Sequence, residues 1–273
     1  MPAEVLTAII AAGVAVISAI ITFFGQLRIT RLQQQFTEQQ EERSQEARAQ
    51  ELIATYRDPL LRSAFDLQSR LYNIVKQNFL DLCLSENEGS KRYCFDNTLY
   101  VIAEYLGWVE VLRREVQFLD LGNVDQNQRL NQILYDIRQV LYTREYPFPL
   151  RLFNGQQRAI GELMMTPRKR EEGVANYECI GYATFSRKLY EDEHFAAWFS
   201  DARYDLKCLV QERERYYERL IILQNRLIDL INFLDPDKVR ISTDERQKIS
   251  PNTSHNTAKH AQHAAEHLRR ANS

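Results

Sequence analysis

The chain is short of turn formers, cysteine, histidine and net charge, and each shortage narrows what it can be. Nine glycines and seven prolines in 273 residues are too few for an all-β chain, a collagen or a Pro-rich linker protein. Thirty-five Lys and Arg stand against 37 Asp and Glu, a formal net charge of −2. That lacks the basic surplus of a dedicated nucleic-acid binder, so no nucleic-acid partner is expected. The four cysteines, Cys83, Cys94, Cys179 and Cys208, show no C-x-x-C spacing and read as free thiols of a reducing compartment. His194 is the only histidine before His255. Missing too are G-x-x-x-x-G-K-[ST], G-x-G-x-x-G and G-x-S-x-G, so nothing points to a nucleotide, a cofactor or a hydrolase elbow. The reading leans away from an enzyme. With 44% hydrophobic and 26% charged residues, wholesale disorder is excluded.

What the chain does have is one long apolar run. Val5 to Phe24 contains no charged residue, and about 20 helical residues reach roughly 30 Å, the thickness of a bilayer core. A cleaved signal peptide would begin with a cation and end in small residues. Here only Glu4 precedes the run, and Phe23-Phe24 closes it. Residues 5–27 are therefore expected to form a single transmembrane helix. No Lys or Arg lies before it, while Arg28 and Arg31 follow at once. The positive-inside rule then places residues 1–4 outside and the rest of the chain in the cytoplasm.

Residues 28–58 are rich in Gln, Glu, Arg and Ala and free of Gly and Pro, which predicts a polar helical stalk. Its heptad is broken by Gln39, Arg43, Glu46 and Gln50, too poor a seam for a permanent coiled coil. Pro59 is expected to end or kink it. Residues 59–236 then read as a bundle of amphipathic helices, making the protein all-α. Leu60, Ala64, Leu67, Leu71, Ile74, Val75 and Leu82 share one face of the first. A second, from Asp96 or Asn97 to Leu121, is apolar almost all round and should be central. A third runs from Gln126 to Tyr142, a short one from Asn154 to Met165, and Thr166 to Gly173 is a charged loop. Tyr177 to Leu189 is assigned to helix, because no partner strand is evident. The last helix carries a leucine seam from Leu206 to Leu234, read as packing within its own domain in preference to an intermolecular coiled coil. Residues 237–273 lack hydrophobic periodicity and are expected to be a disordered tail.

Few residues suggest chemistry. His260, His263 and His267, with His255, could approach a metal, but a polar tail supplies no scaffold for one, and no metal site is expected. Glu191 and His194 make a single E-x-x-H, where a di-iron bundle needs two pairs and two further glutamates. Glu104 is the most interesting carboxylate, one turn from Tyr100 and Trp108 on the central helix. It is a weak candidate for a ligand site, with an arginine salt bridge as the plainer expectation. Arg113-Arg114 and the Arg57/Arg62/Arg70 series are solvated faces or salt-bridge partners that could also collect an anionic ligand or lipid headgroup.

The leading expectation is a membrane-anchored cytoplasmic module for binding, signalling or scaffolding, with the bilayer and an unknown protein as partners. Its alternatives are a membrane-tethered enzyme or small-ligand sensor with a helical site, and an effector that permeabilises membranes. A homo-oligomer is also expected. Thr7, Ala11, Ala15 and Ala19 are spaced by four, a ridge of small side chains that lets two helices approach closely in lipid. Replacing Ala11 and Ala15 with Ile should weaken association in a membrane two-hybrid assay, whereas Val14→Ile with Ile17→Phe should not. Equal association in both pairs leaves the ridge without a role.

Overall fold

A computed structural model describes residues 26, 28, 33–37, 39–40, 43–44, 56–115, 124–146, 150–168, 176–211 and 213–250. The chain divides into two compact units, Met1–Glu51 and Leu52–Ser273. In the first, the described residues are helical and exposed, and Thr37 Oγ1 donates to the Gln33 carbonyl at 2.9 Å, one turn back. The expected span of residues 5–27, apart from Gln26, lies outside the described residues, as does the Thr7/Ala11/Ala15/Ala19 ridge. Among the described residues no helix is long and apolar enough to cross a membrane.

The second unit is predominantly helical, as the periodicity predicts. Helix α1 covers residues 56–76 and buries Tyr56, Leu60, Leu61, Ala64, Leu67, Leu71 and Ile74. Pro59 does not end it: Asp58 and Pro59 are both helical. Tertiary ties hold this stretch, since Arg57 Nε donates to the Leu234 carbonyl and Asp58 pairs with Arg240 at 3.0 Å. The helix stops instead at Asn78, whose φ of 52° is left-handed, a conformation asparagine tolerates better than most. Leu82 therefore falls on a separate helix, α2 (Phe79–Ser85), and is exposed.

Helix α3 (Glu88–Glu115) begins eight residues before Asp96. Asn87 is the reason: its Oδ1 accepts from the Ser90 amide at 3.0 Å, an asparagine cap close behind α2. Asp96 and Asn97 thus lie inside the helix and serve as tertiary partners. Arg203 Nη2 donates to Asp96, the Tyr190 hydroxyl donates to it at 2.7 Å, and Arg70 donates to Asn97. As expected, α3 is central, packing on α2, on both strands and on three of the helices that follow it in the chain, two of them beyond the strands.

Helix α4 (Val124–Tyr142) is followed by α5 (Asn154–Met164). Next comes a small antiparallel hairpin, β1 (Met165–Arg168) and β2 (Asn176–Cys179), with Met165 opposite Cys179 and Arg168 opposite Asn176. This corrects the helical assignment of Tyr177–Cys179 and the loop assignment from Thr166. The partner strand contains Pro167, which a two-stranded edge can accommodate, and four residues are too few to show a period. Helices α6 (Tyr182–Glu191) and α7 (Glu193–Ala197) are separated at Asp192, which caps α7 by accepting from the Phe195 amide at 3.0 Å. The E-x-x-H therefore spans two helices. Phe185, Phe195 and Phe199 meet nearby, with centroids 5.1–5.5 Å apart.

Helices α8 (Ser200–Gln211) and α9 (Arg213–Leu234) complete the bundle. Leu206, Leu209, Leu220, Leu223, Leu227, Leu230 and Leu234 are all buried within the unit, so the seam packs inside its own domain. The tail, expected to be disordered from residue 237, is ordered on the bundle as far as Ser250. Ile241 and Ile249 are buried, and the α9 amides of Gln224 and Asn225 bind the backbone of Gln247 and Ile249. Asp235 accepts the amides of Val239, Arg240 and Ile241, and a buried Arg246 donates to it. Two apolar anchors and one buried ion pair leave no periodicity to read, which is why this strap resembles a polar tail in sequence. Residues 251–273 lie outside the described residues.

Removing one partner of a buried pair strands the other charge, at a cost of about 3–5 kcal/mol. Arg246→Ala should destabilise the full chain by that order in urea unfolding. A loss below about 1 kcal/mol contradicts a docked strap.

Candidate functional site

The first candidate, Glu104, does not line the cleft that α3 forms with α4 and α5. Its partner is the Tyr100 hydroxyl, which donates to Oε1 at 3.0 Å, and no arginine pairs with it among the described residues. Burial raises its carboxyl above the ordinary range, against that hydrogen bond, and the Asp66 charge raises it further. Cys179 Sγ lies 3.9 Å from the Glu104 carbonyl. Burial also pushes that thiol up, as do the charges of Glu104 and Glu178, so it is no thiolate nucleophile. Arg57 and Arg70 hold Leu234 and Asn97, as described above. His255, His260, His263 and His267 lie outside the described residues, and among the described residues no group of three or more His, Cys, Asp or Glu could hold a metal.

A large cleft lies on the opposite face of α3. Nine residues separate Glu104 from Arg113, two and a half turns at 3.6 residues per turn, so the two point apart. The cleft measures about 910 Å³ and is bounded by α3, α4 and the first turns of α5. Its origin is a difference in how closely the helices approach. A Cβ on Gly161 would lie 2.7 Å from the Leu106 carbonyl, and one on Gly107 would lie 2.8 Å from Met164 Cβ. Only glycine allows α5 and the hairpin this near to α3. Helix α4 instead packs along α9, which leaves space between α4 and α3. The buried Gln157 closes one end, its amide donating to the carbonyls of Leu152 at 2.8 Å and Arg138 at 3.2 Å.

The floor is apolar: Leu106, Leu112, Ile137 and Leu141 are buried, with Val109 and Leu134 partly open. The polar rim is cationic, with Arg113, Arg138 and Arg158 contributed by three different helices. Among the described residues Glu110 is the only carboxylate in the lining, and its charge is already answered. Arg113 grips both of its oxygens and Arg114 Nε donates at 2.9 Å. Burial works against the Glu110 charge, but the two guanidinia prevail and hold its carboxyl below the ordinary range. A carboxylate so held is neither a general acid nor a free base at neutral pH. Arg138 lies over the Tyr135 ring at 5.2 Å, and neither it nor Arg158 has a carboxylate partner among the described residues. The sequence marks Glu110-x-x-Arg113-Arg114 at i, i+3 and i+4, but nothing in it brings Arg138 and Arg158 to the same place.

A second buried polar group shapes the segment between α4 and α5 without forming a site. Arg219 is 1% exposed and donates to the carbonyls of Val140, Thr143 and Tyr146. Asp205 Oδ2 accepts the Leu150 amide at 2.7 Å, Leu150 having a left-handed φ of 58°, and its Oδ1 is buried without a hydrogen-bond partner among the described residues. Burial pushes the Asp205 carboxyl up to about 6, against the Leu150 amide, with Asp201 raising it and the Arg151 amide and Arg219 lowering it. A carboxyl raised on folding opposes stability once ionised, progressively from its unfolded value of 3.8 to 6. Asp205→Asn should therefore stabilise the chain at pH 7.5, by up to about 3 kcal/mol, and the gain should vanish below about pH 4. A gain that persists at low pH assigns the effect to packing and not to charge.

No protein family, curated protein or solved structure matches the chain.

Proposed function

We propose that the protein is a membrane-anchored, non-catalytic binding module whose recognition site is the cleft between α3, α4 and α5. The observation carrying this reading is the makeup of the cleft: an apolar floor, a polar rim and a single carboxylate already neutralised by two arginines. That combination suits binding sites, which are concave, mostly apolar and carry a few orienting polar groups. Catalysis by a carboxylate, an imidazole or a thiol would need such a group free to act, and among the described residues the lining holds only the arginine-held Glu110.

The anchor belongs to this reading through residues 5–27, whose uncharged run is long enough to span a bilayer. With Arg28 and Arg31 following it, the module faces the cytoplasm and residues 1–4 face outward. Residues 28–55 connect anchor and module, since residues 56–58, expected as the end of the stalk, belong to α1. Pairing through Thr7, Ala11, Ala15 and Ala19 would bring two modules side by side, and a bound protein partner would be confined to the same surface.

A photo-reactive residue placed at Tyr135, on the lip of the cleft, should trap a discrete adduct when the full chain is irradiated in its own membranes. The same residue at Tyr204, exposed but outside the cleft, should trap at least several-fold less, and Leu134→Arg should abolish the Tyr135 adduct. Equal trapping at both positions, or none at Tyr135, contradicts a recognition site here.

A further inference from the structure

We infer that the ligand of the α3–α4–α5 cleft is a single-chain acyl anion, an alkyl chain carrying one acidic head group. The inference rests on the cleft being the recognition site and names the chemistry that fits it. Charge gives the head group. Among the described residues three arginines line the cleft against one glutamate, and that glutamate is held by Arg113 and Arg114. Arg138 and Arg158 keep guanidinium donors with no carboxylate to receive them among the described residues, and both are exposed to an arriving ligand. Guanidinium forks match carboxylate or phosphate oxygens two at a time.

Apolar surface gives the chain. Tyr105 to Arg113 on α3 forms roughly 12 Å of wall at 1.5 Å per residue, faced by Leu134, Ile137 and Leu141 of α4. Leu134 is only half-buried where it lines the cleft, and an alkyl chain would complete its packing. A small inorganic anion would leave this floor wet, and a neutral hydrocarbon would leave the arginines unanswered. An acyl anion satisfies both halves of the lining. The volume, about 910 Å³, falls within the roughly 300–1,000 Å³ of small-molecule sites. That is room for one such molecule and too little for a bilayer patch. Confinement near a membrane gives the module access to such molecules, which partition there.

The test uses the full chain in phosphatidylcholine nanodiscs, with laurate, lauryl alcohol and inorganic phosphate as probes and empty nanodiscs as the blank. Laurate should bind saturably above the blank. Arg138→Glu with Arg158→Glu, both on exposed positions, should weaken it at least tenfold, and Leu134→Arg should abolish it. Lauryl alcohol should bind at least tenfold more weakly than laurate and be indifferent to the charge reversal. Phosphate should not bind at laurate's working concentration. Laurate and lauryl alcohol binding alike, both lost in Leu134→Arg, overturns the acidic head group while leaving the cleft as the recognition site. Phosphate binding as tightly as laurate overturns the chain. Laurate binding no better than the blank overturns the ligand class, and the adduct trapped at Tyr135 then decides separately whether the cleft is used. Laurate binding untouched by Leu134→Arg overturns both readings.

Discussion

Close approach at Gly107 and Gly161 governs the architecture of the second unit. A methyl group on Gly161 would meet a main-chain carbonyl of α3 at 2.7 Å, a distance at which something must move. With hydrogen there instead, α5 and the hairpin close down on one side of α3, and the Asp96 network gathers α6 and α8 on another. Helix α4, drawn to α9, is left standing away from α3. The cleft is the gap between a helix pair that can touch and a helix pair that does not. Its position follows from two missing side chains more than from any residue that lines it.

The bundle is also fastened by buried charges: Asp96 with Arg203, Asp235 with Arg246, and Arg219 with three carbonyls of the α4–α5 connection. Such pairs add little net stability, because desolvation offsets most of their attraction. They do make alternative packings costly, since a misplaced strap or connection strands a charge in the interior. The strap shows this most clearly. Ile241 and Ile249 bury modest apolar area, whereas Asp235, Arg246, Gln224 and Asn225 fix its path. Glu110 with Arg113 and Arg114 differs in being exposed on its cationic side, where surplus positive charge faces the cleft.

The sequence discloses the elements whose period is long. The core faces of α1, α3, α4 and α9 are readable from leucine and isoleucine spacing, and most of the described residues assigned to them are buried in the structure, with Leu82, Trp108, Val109, Ile133 and Leu134 the exceptions. Interruptions were legible only where one residue type enforces them, as Asp235-Pro236 does at the end of α9. Asn78 and Asn87 act through a left-handed φ and a side-chain cap, and both look like ordinary polar positions. The hairpin escaped because four-residue strands carry no period, and the strap because side-chain amides, not apolar spacing, hold it. Glu104 drew attention through its aromatic neighbours on one helix, which report local burial and say nothing about a cleft. Arg138 and Arg158 are the reverse case: unremarkable on their own helices, they become partners only once α4 and α5 are placed beside α3.

Native mass spectrometry of the full chain, released from its own membranes without added lipid, tests the central claim most directly. The account predicts one non-covalent adduct per chain, of a mass matching a single acyl acid, present on the unaltered chain and absent from the variant combining Arg138→Glu with Arg158→Glu. A chain that emerges bare, or an adduct retained undiminished by that variant, would contradict it.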